Sequence, residues 1–199
     1  MSVAVIIYDR GMGRWEPNAR GRLQQAAMDL FLERGFEQTT VTEIAERAGL
    51  TQRTFFRYFS DKREVLFAGS DTLRDLMVDA LVSAPASAAP IDAVAASLQA
   101  AGAALQEGGE HPRRRQAVIS ANAELREREL IKLASLASAL ADALRRRGIA
   151  DPAASLAAEA GIAVFRIAFA RWIADPAQPD FPQVIRESLE ELKAVTTGR

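Results

Sequence analysis

Cysteine is absent from this chain of 199 residues, and histidine occurs once. The first absence removes disulfides and thiolate metal sites, and the second removes any multi-histidine metal site. No metal and no cofactor are expected. Strand signals are scarce too, whereas alanine and leucine recur at helical spacing. No segment reaches the ~18 uninterrupted apolar residues of a membrane helix. The apolar start, Met1–Ile7, is too short for a signal peptide, and Tyr8-Asp9-Arg10 ends it. The expectation is an all-α, cytoplasmic protein with no membrane partner. No nucleophile–base pair and no Gly-rich phosphate loop are present. Catalytic residues are therefore not assigned, and an enzyme is not expected.

What is there suits a globular chain. Apolar residues make up 49 %, enough for a sizeable core, and the formal net charge is −1. Such a balance argues against non-specific coating of DNA. The charge is uneven, however: from residue 10 to 63, Lys and Arg number ten, Asp and Glu seven. A local basic excess on one face suffices for phosphate contacts.

Caps and breakers divide the chain into nine helices. The first runs from about Asn18, an N-cap after Pro17, to Arg34, with Gly35 as its stop. The second covers about 41–48. Thr40 caps it, and Glu43 three residues later completes a capping-box pattern. The third spans about 52–59 behind Thr51. A fourth is expected from Asp61 or Lys62 to about Val82, long enough to link two domains. Pro85 to Pro90 is a breaker-rich link. Further helices follow at about 91–106, 112–122, 123–147, 152–174 and 181–195. Residues 1–17 read as a flexible extension, 18–64 as a head, and 65–199 as a second domain.

The stretch 39–62, TTVTEIAERAGLTQRTFFRYFSDK, carries the function. It reads as two short helices joined by a tight turn at Gly49, the arrangement that offers a recognition helix to the DNA major groove. Phe55 and Phe59 stand at i and i+4, so they share a face. With Ile44, Ala45, Ala48, Leu30 and Phe31 they can close a small core. Gln52, Arg53, Thr54, Phe56 and Arg57 are left outward. Arg pairs bidentately with guanine and Gln with adenine, which makes Arg53 and Gln52 the leading base readers. Thr54, Tyr58 and Lys62 are assigned to phosphates, as are Thr40 and Thr42 at the start of the second helix. An outward Phe56 has an energetic cost unless it meets something, and a sugar–phosphate edge is one candidate.

Residues 19–66 resemble the DNA-binding domain of TetR-family repressors, without a gap. The resemblance rests on Leu-Phe…Gly-Phe at the end of the first helix, Thr-Thr-Val…Ile-Ala…Ala-Gly-Leu, and Tyr-Phe-Ser-Asp-Lys. It implies a nine-helix fold whose three-helix head precedes a helical ligand-binding and dimerisation core. It further implies a homodimer that reads a palindrome and binds a small inducer. The family's contact pattern falls on Thr40, Thr42, Gln52, Arg53, Thr54, Phe56, Tyr58 and Lys62. The family often has Tyr where this chain has Phe56, so one phosphate bond is lost. Arg14, Arg20 and Arg22 are further candidates for the DNA backbone or minor groove.

The resemblance also assigns the last two helices to a dimeric four-helix bundle. Their stripes at helical spacing give Phe165, Phe169, Trp172, Val184, Ile185, Leu189 and Leu192 as interface residues, core packing standing beside that reading and a ligand role as the rival. The expected pocket lies among the fourth to eighth helices, with Phe165, Arg166, Phe169 and Arg113 as candidate lining. The alanines of the fifth helix leave room for close packing or for a ligand. Arg166 is either buried beside Glu124 or Glu159 or turned to solvent. His111 reads as a surface histidine.

Residues 111–133 are similar to the C-terminal domain of actinobacterial regulators of the mycofactocin-repressor type. That likeness implies an unidentified small hydrophobic or acyl-CoA-like ligand. Arg113, Arg114 and Arg115 would meet its phosphates, or would be a solvated basic run or a dimer salt-bridge partner for Glu127 and Glu129. The expected function is a ligand-responsive repressor of a double-stranded DNA operator. The alternative is a constitutive DNA-binding regulator without a ligand.

Overall fold

The structure is a computed structural model that describes residues 18–177 and 179–198. Expectations for the 1–17 extension, Arg14 included, lie outside the described residues. Among the described residues there are nine helices and no strand: α1 (Ala19–Arg34), α2 (Val41–Arg47), α3 (Gln52–Tyr58), α4 (Ser70–Val82), α5 (Pro90–Glu107), α6 (His111–Ser120), α7 (Ala123–Arg146), α8 (Ala153–Ala174) and α9 (Phe181–Thr197).

The fourth helix starts later than the sequence suggests. Asp61 does act as a cap, its carboxylate accepting from the N–H groups of Arg63 (2.8 Å) and Glu64 (3.2 Å). The chain then continues in tight i→i+3 turns, Leu66 to Arg63, Phe67 to Glu64 and Ser70 to Phe67. Gly69 takes φ +93°, which no α-helix accommodates, and α4 begins only after it.

Two compact units result. The first comprises the described residues up to Ser70 together with Glu110–Glu129, so it is larger than the 18–64 stretch expected as the head. Its core joins Leu23, Leu30 and Phe31 of α1, Ile44 of α2, Phe55 of α3, Phe59 and Val65–Phe67 to Val118, Ile119 and Leu125. The last three come from α6 and the start of α7. Polar ties run alongside: Asn122 donates to Glu37 (2.6 Å), Arg128 pairs with Glu64 (2.6 Å), and Arg63 pairs with Glu124. Arg115 donates to the Leu66 carbonyl (2.7 Å), pairs with Glu129 (3.1 Å) and lies over the Phe67 ring.

The second unit contains Asp71–Gly109 and the described residues from Leu130 on. Within it α5, α8 and α9 pack closely, and two glycines make that approach possible. A Cβ added at Gly102 would stand 2.7 Å from Cδ1 of Ile185, and one at Gly161 2.2 Å from Cγ1 of Val94. Arg147 closes the C-terminal end of α4 by donating to the carbonyls of Leu81, Val82, Ala84 and Pro85, at 2.7–3.2 Å. Cations placed there also meet the negative end of the helix dipole.

The glycine contact yields a stability prediction. Gly161→Ala gains up to about 1 kcal/mol of helix propensity. The clash with the buried Val94 outweighs it, because overpacking costs about 1–3 kcal/mol and valine has little rotamer freedom. We expect Gly161→Ala to lower the urea midpoint. Adding Val94→Ala should restore part of the loss, so that the pair is more stable than the sum of the two single changes. Strict additivity in that cycle would refute the contact.

Candidate nucleic-acid interface

α2 and α3 are short, seven residues each, and hydrogen bonds at their ends hold them in place. Thr40 forms the capping box that its spacing announces: its Oγ1 accepts from the Glu43 N–H (3.3 Å), and the Glu43 carboxylate accepts from the Thr40 N–H (2.9 Å). That backbone bond, seconded by the Thr40 hydroxyl, holds the Glu43 carboxyl below its ordinary pKa. Thr51 caps α3 by accepting from the Thr54 N–H (3.2 Å). Between the helices Gly49 takes φ +66°, a conformation few side chains tolerate, and Leu50 N–H returns to the Ala45 carbonyl at 2.8 Å.

The two faces of α3 separate as the i, i+4 spacing requires. Phe55 is wholly buried, and Phe59 lies beside it with ring centroids 5.5 Å apart. Gln52, Arg53, Phe56, Arg57 and Tyr58 are exposed, Phe56 at 53 %. Thr40 and Thr42 are exposed as well, and Thr54 is half-buried. Gln52 reaches across to the Thr42 hydroxyl at 3.4 Å, so one α2 residue and one α3 residue share an edge. Arg57 lies over the Tyr58 ring, 4.9 Å from its centroid, and donates to its hydroxyl at 3.2 Å. Among the described residues Arg53 makes no hydrogen bond or ion pair. Its fork of donors stands at the exposed start of the helix.

Three basic residues assigned to DNA are placed otherwise. The ammonium of Lys62 donates to the carbonyls of Phe36 (2.7 Å), Thr39 (3.0 Å) and Glu37 (3.3 Å). It is engaged with the protein's own backbone. Arg22 turns inward to the carbonyl of Ala48 and, at 3.4 Å, that of Gly49. Arg20 lies over the Phe59 ring, 5.9 Å from its centroid. No one-dimensional pattern separates a lysine that reaches outward from one that curls back.

These geometries are those of a helix-turn-helix, and the sequence comparisons agree. The model for bacterial regulatory proteins of the tetR family matches residues 23–68. The model for the MftR C-terminal domain matches residues 88–197, more than half of the chain. The chain is a TetR-family transcriptional regulator. Among curated relatives, the HTH-type transcriptional regulator TcmR of Streptomyces glaucescens is 35 % identical over 89 residues, 45 % of this chain and 39 % of TcmR. The chain thus matches about two fifths or less of the length of such relatives. SmeT of Stenotrophomonas maltophilia, solved with triclosan, superposes at TM-score 0.64 over 90 % of this chain and 91 % of its own, at 22 % identity. FadR of Bacillus subtilis, solved with stearoyl-CoA, gives 0.61 over 86 % and 96 %, at 19 % identity. At such identities the likeness is one of fold.

In the second unit of this TetR-family regulator the expected interface residues are already used. Phe165, Trp172, Val184, Ile185 and Leu189 are buried within the single chain, and Phe169 and Leu192 are packed against that same core. Trp172 and Phe181 stack at 4.6 Å, and Phe165 and Phe169 flank them. α8 is apolar on more than one side, so spacing alone does not say which side faces inward. Its exposed row carries Leu156, Ala163, Ile167 and Ala170, with Leu156 66 % and Ile167 51 % exposed.

The expected pocket residues are not all gathered either. Phe165 and Phe169 belong to the aromatic group. Arg166 is exposed in the single chain. Arg113 lies on α6 and belongs to the first unit. Its neighbours Arg114 and Arg115 pair with Asp29 (2.6 Å) and Glu129 (3.1 Å) within the chain. His111 is half-buried, and burial, with Arg115 and Arg114 beyond, pushes its pKa below the ordinary value.

Proposed function

We propose that this regulator binds a palindromic operator as a homodimer and is released by a small-molecule inducer. The observation that carries the reading is the exposed row Gln52, Arg53, Phe56 and Arg57 over a buried Phe55, on a helix capped by Thr51. In that pose Arg53 reads guanine and Gln52 adenine. Thr40, Thr42, Thr54 and Tyr58 take phosphates. Phe56 lies against the sugar edge. Two copies place their α3 helices in successive major grooves, about 34–36 Å apart.

The exposed apolar row of α8 supports a second copy as its cover. The inducer is a small hydrophobic or acyl-CoA-like molecule held in the second unit, with Phe165 and Phe169 as its apolar wall. The MftR-type match over 88–197 and the stearoyl-CoA seen with FadR support that class. Inducer and operator oppose each other by linkage. A chain that acts on DNA in a bacterium works in the cytoplasm.

The test is a footprint on the DNA flanking the gene. A protected palindrome is expected, and its absence near the gene and its neighbours would sink the reading. Arg53→Ala should weaken binding by about 1–3 kcal/mol and relax the preference at one base pair per half-site. A thermal-shift screen of acyl-CoAs, lipophilic cations and aromatic acids addresses the inducer.

A further inference from the structure

We infer that Lys62 is a positioning residue of the DNA-reading unit, one that sets where α2 begins by gathering backbone carbonyls and not by touching phosphate. The inference rests on the operator-binding reading above.

An ammonium group has three N–H donors. Here three carbonyls stand around it, those of Phe36, Thr39 and Glu37, at 2.7, 3.0 and 3.3 Å. The charge also faces the Phe36 ring, 4.3 Å from its centroid. All three donors are committed, and the aromatic face holds the charge from another side.

The carbonyls it gathers belong to the link that follows α1. Gly35 stops α1 with φ +86°, and a turn bond from the Thr39 N–H to the Phe36 carbonyl (3.3 Å) leads into Thr40, the N-cap of α2. Such a link leaves acceptors that need donors. Thr39 is buried and supplies one further bond, its hydroxyl donating to the Gly35 carbonyl at 2.9 Å. Lys62 adds three donors from 23–26 residues away.

At the other end of α2, Arg22 does the corresponding work on the carbonyls of Ala48 and Gly49. The helix that carries Thr42, and against which Gln52 rests, is thus pinned at both ends by cations from outside it. Neither cation is then available as a point charge for DNA. Their contribution to binding is a fixed placement of the residues that are.

Salt dependence separates the two roles. Each phosphate contact releases counterions and contributes about 0.9 to the slope of log K against log salt. A positioning residue contributes affinity without slope. Binding of the full chain to its footprinted operator would be titrated over a range of salt for the wild type, Lys62→Met, Lys62→Gln and Arg57→Met.

The expected result is a loss of about tenfold or more for Lys62→Met at every salt, with the slope unchanged. Lys62→Gln keeps N–H donors without the charge and should recover part of the affinity. Arg57→Met, an exposed cation on the reading face, serves as the slope control, with a fall of about one per protomer. A slope that falls by about one per protomer in both Lys62 variants would overturn the inference, and so would wild-type affinity for Lys62→Met. Should Lys62→Met fail to fold, the comparison of Lys62→Gln with wild type decides by the same slope. If the wild type itself protects no operator, the operator-binding reading fails instead, which is a distinct outcome.

Discussion

Leu125→Ala will loosen the DNA-reading unit, although residue 125 lies far beyond the recognition helix in sequence. Its side chain is wholly buried in the core that contains Phe31, Phe55 and Phe59, and Ile119 sits with it. Truncating such a leucine costs about 2–5 kcal/mol, because the surroundings relax only partly into the space. Domains of this size have about 5–15 kcal/mol in all, so one change removes a large fraction. The polar ties cannot make up the difference. Arg63–Glu124 and Arg128–Glu64 are partly solvated, and such pairs contribute little.

Native-state hydrogen exchange reads the outcome directly. Protection should fall throughout α1–α3 in Leu125→Ala, and operator binding should fall with it. Leu140→Ala, an equally buried leucine of the second unit, serves as the control. Its protection losses should be confined to the second unit, α4, α5, α8, α9 and the part of α7 from Leu130 on. Unchanged exchange in α1–α3 of Leu125→Ala would show that the 18–70 stretch is a self-sufficient fold.

The second large effect is on assembly. Ile167→Glu places a charge in the exposed apolar row of α8. By length and composition alone α8 would pass for a membrane span, yet 44 % of its apolar window is buried inside the chain. The remaining apolar surface, Leu156 and Ile167 foremost, is what a second copy would cover. A carboxylate there has to be desolvated on association, at a cost of several kcal/mol. Light scattering is expected to show a dimer for the wild type and a monomer for Ile167→Glu, with helix content retained by circular dichroism. Operator affinity should drop by about 10²-fold or more, because one head loses the local presence of the other. A dimeric Ile167→Glu with full affinity would place the interface elsewhere.

Much of the reading unit is legible in the sequence because its signals are local. Thr40 with Glu43, Thr51 before α3 and Gly49 between the helices each act within four residues. The split of α3 into Phe55 and Phe59 on one side and Gln52, Arg53 and Phe56 on the other follows from period alone. What resists reading is set by distant partners. Asp61 signals a helix start that Gly69 then defers by nine residues. Lys62 and Arg22 look like surface cations, and only the carbonyls across the fold show otherwise. In α8 apolar residues cover most of the circumference, so periodicity cannot say that Phe165 and Trp172 face inward and Ile167 outward.

The first unit is written in two separated stretches, 18–70 and 110–129. That has a practical meaning for anyone exchanging specificity between regulators of this kind. A chimera cut once, anywhere from residue 64 to 90, would carry the recognition helix to its new host without Val118, Ile119 and Leu125, the residues that close its core. It would also lack Arg114, Arg115 and Asn122, which answer Asp29, the Leu66 carbonyl and Glu37. A portable reading module has to bring 110–129 along as a second insert, or meet in the host's own α6 and α7 a surface already shaped to receive it.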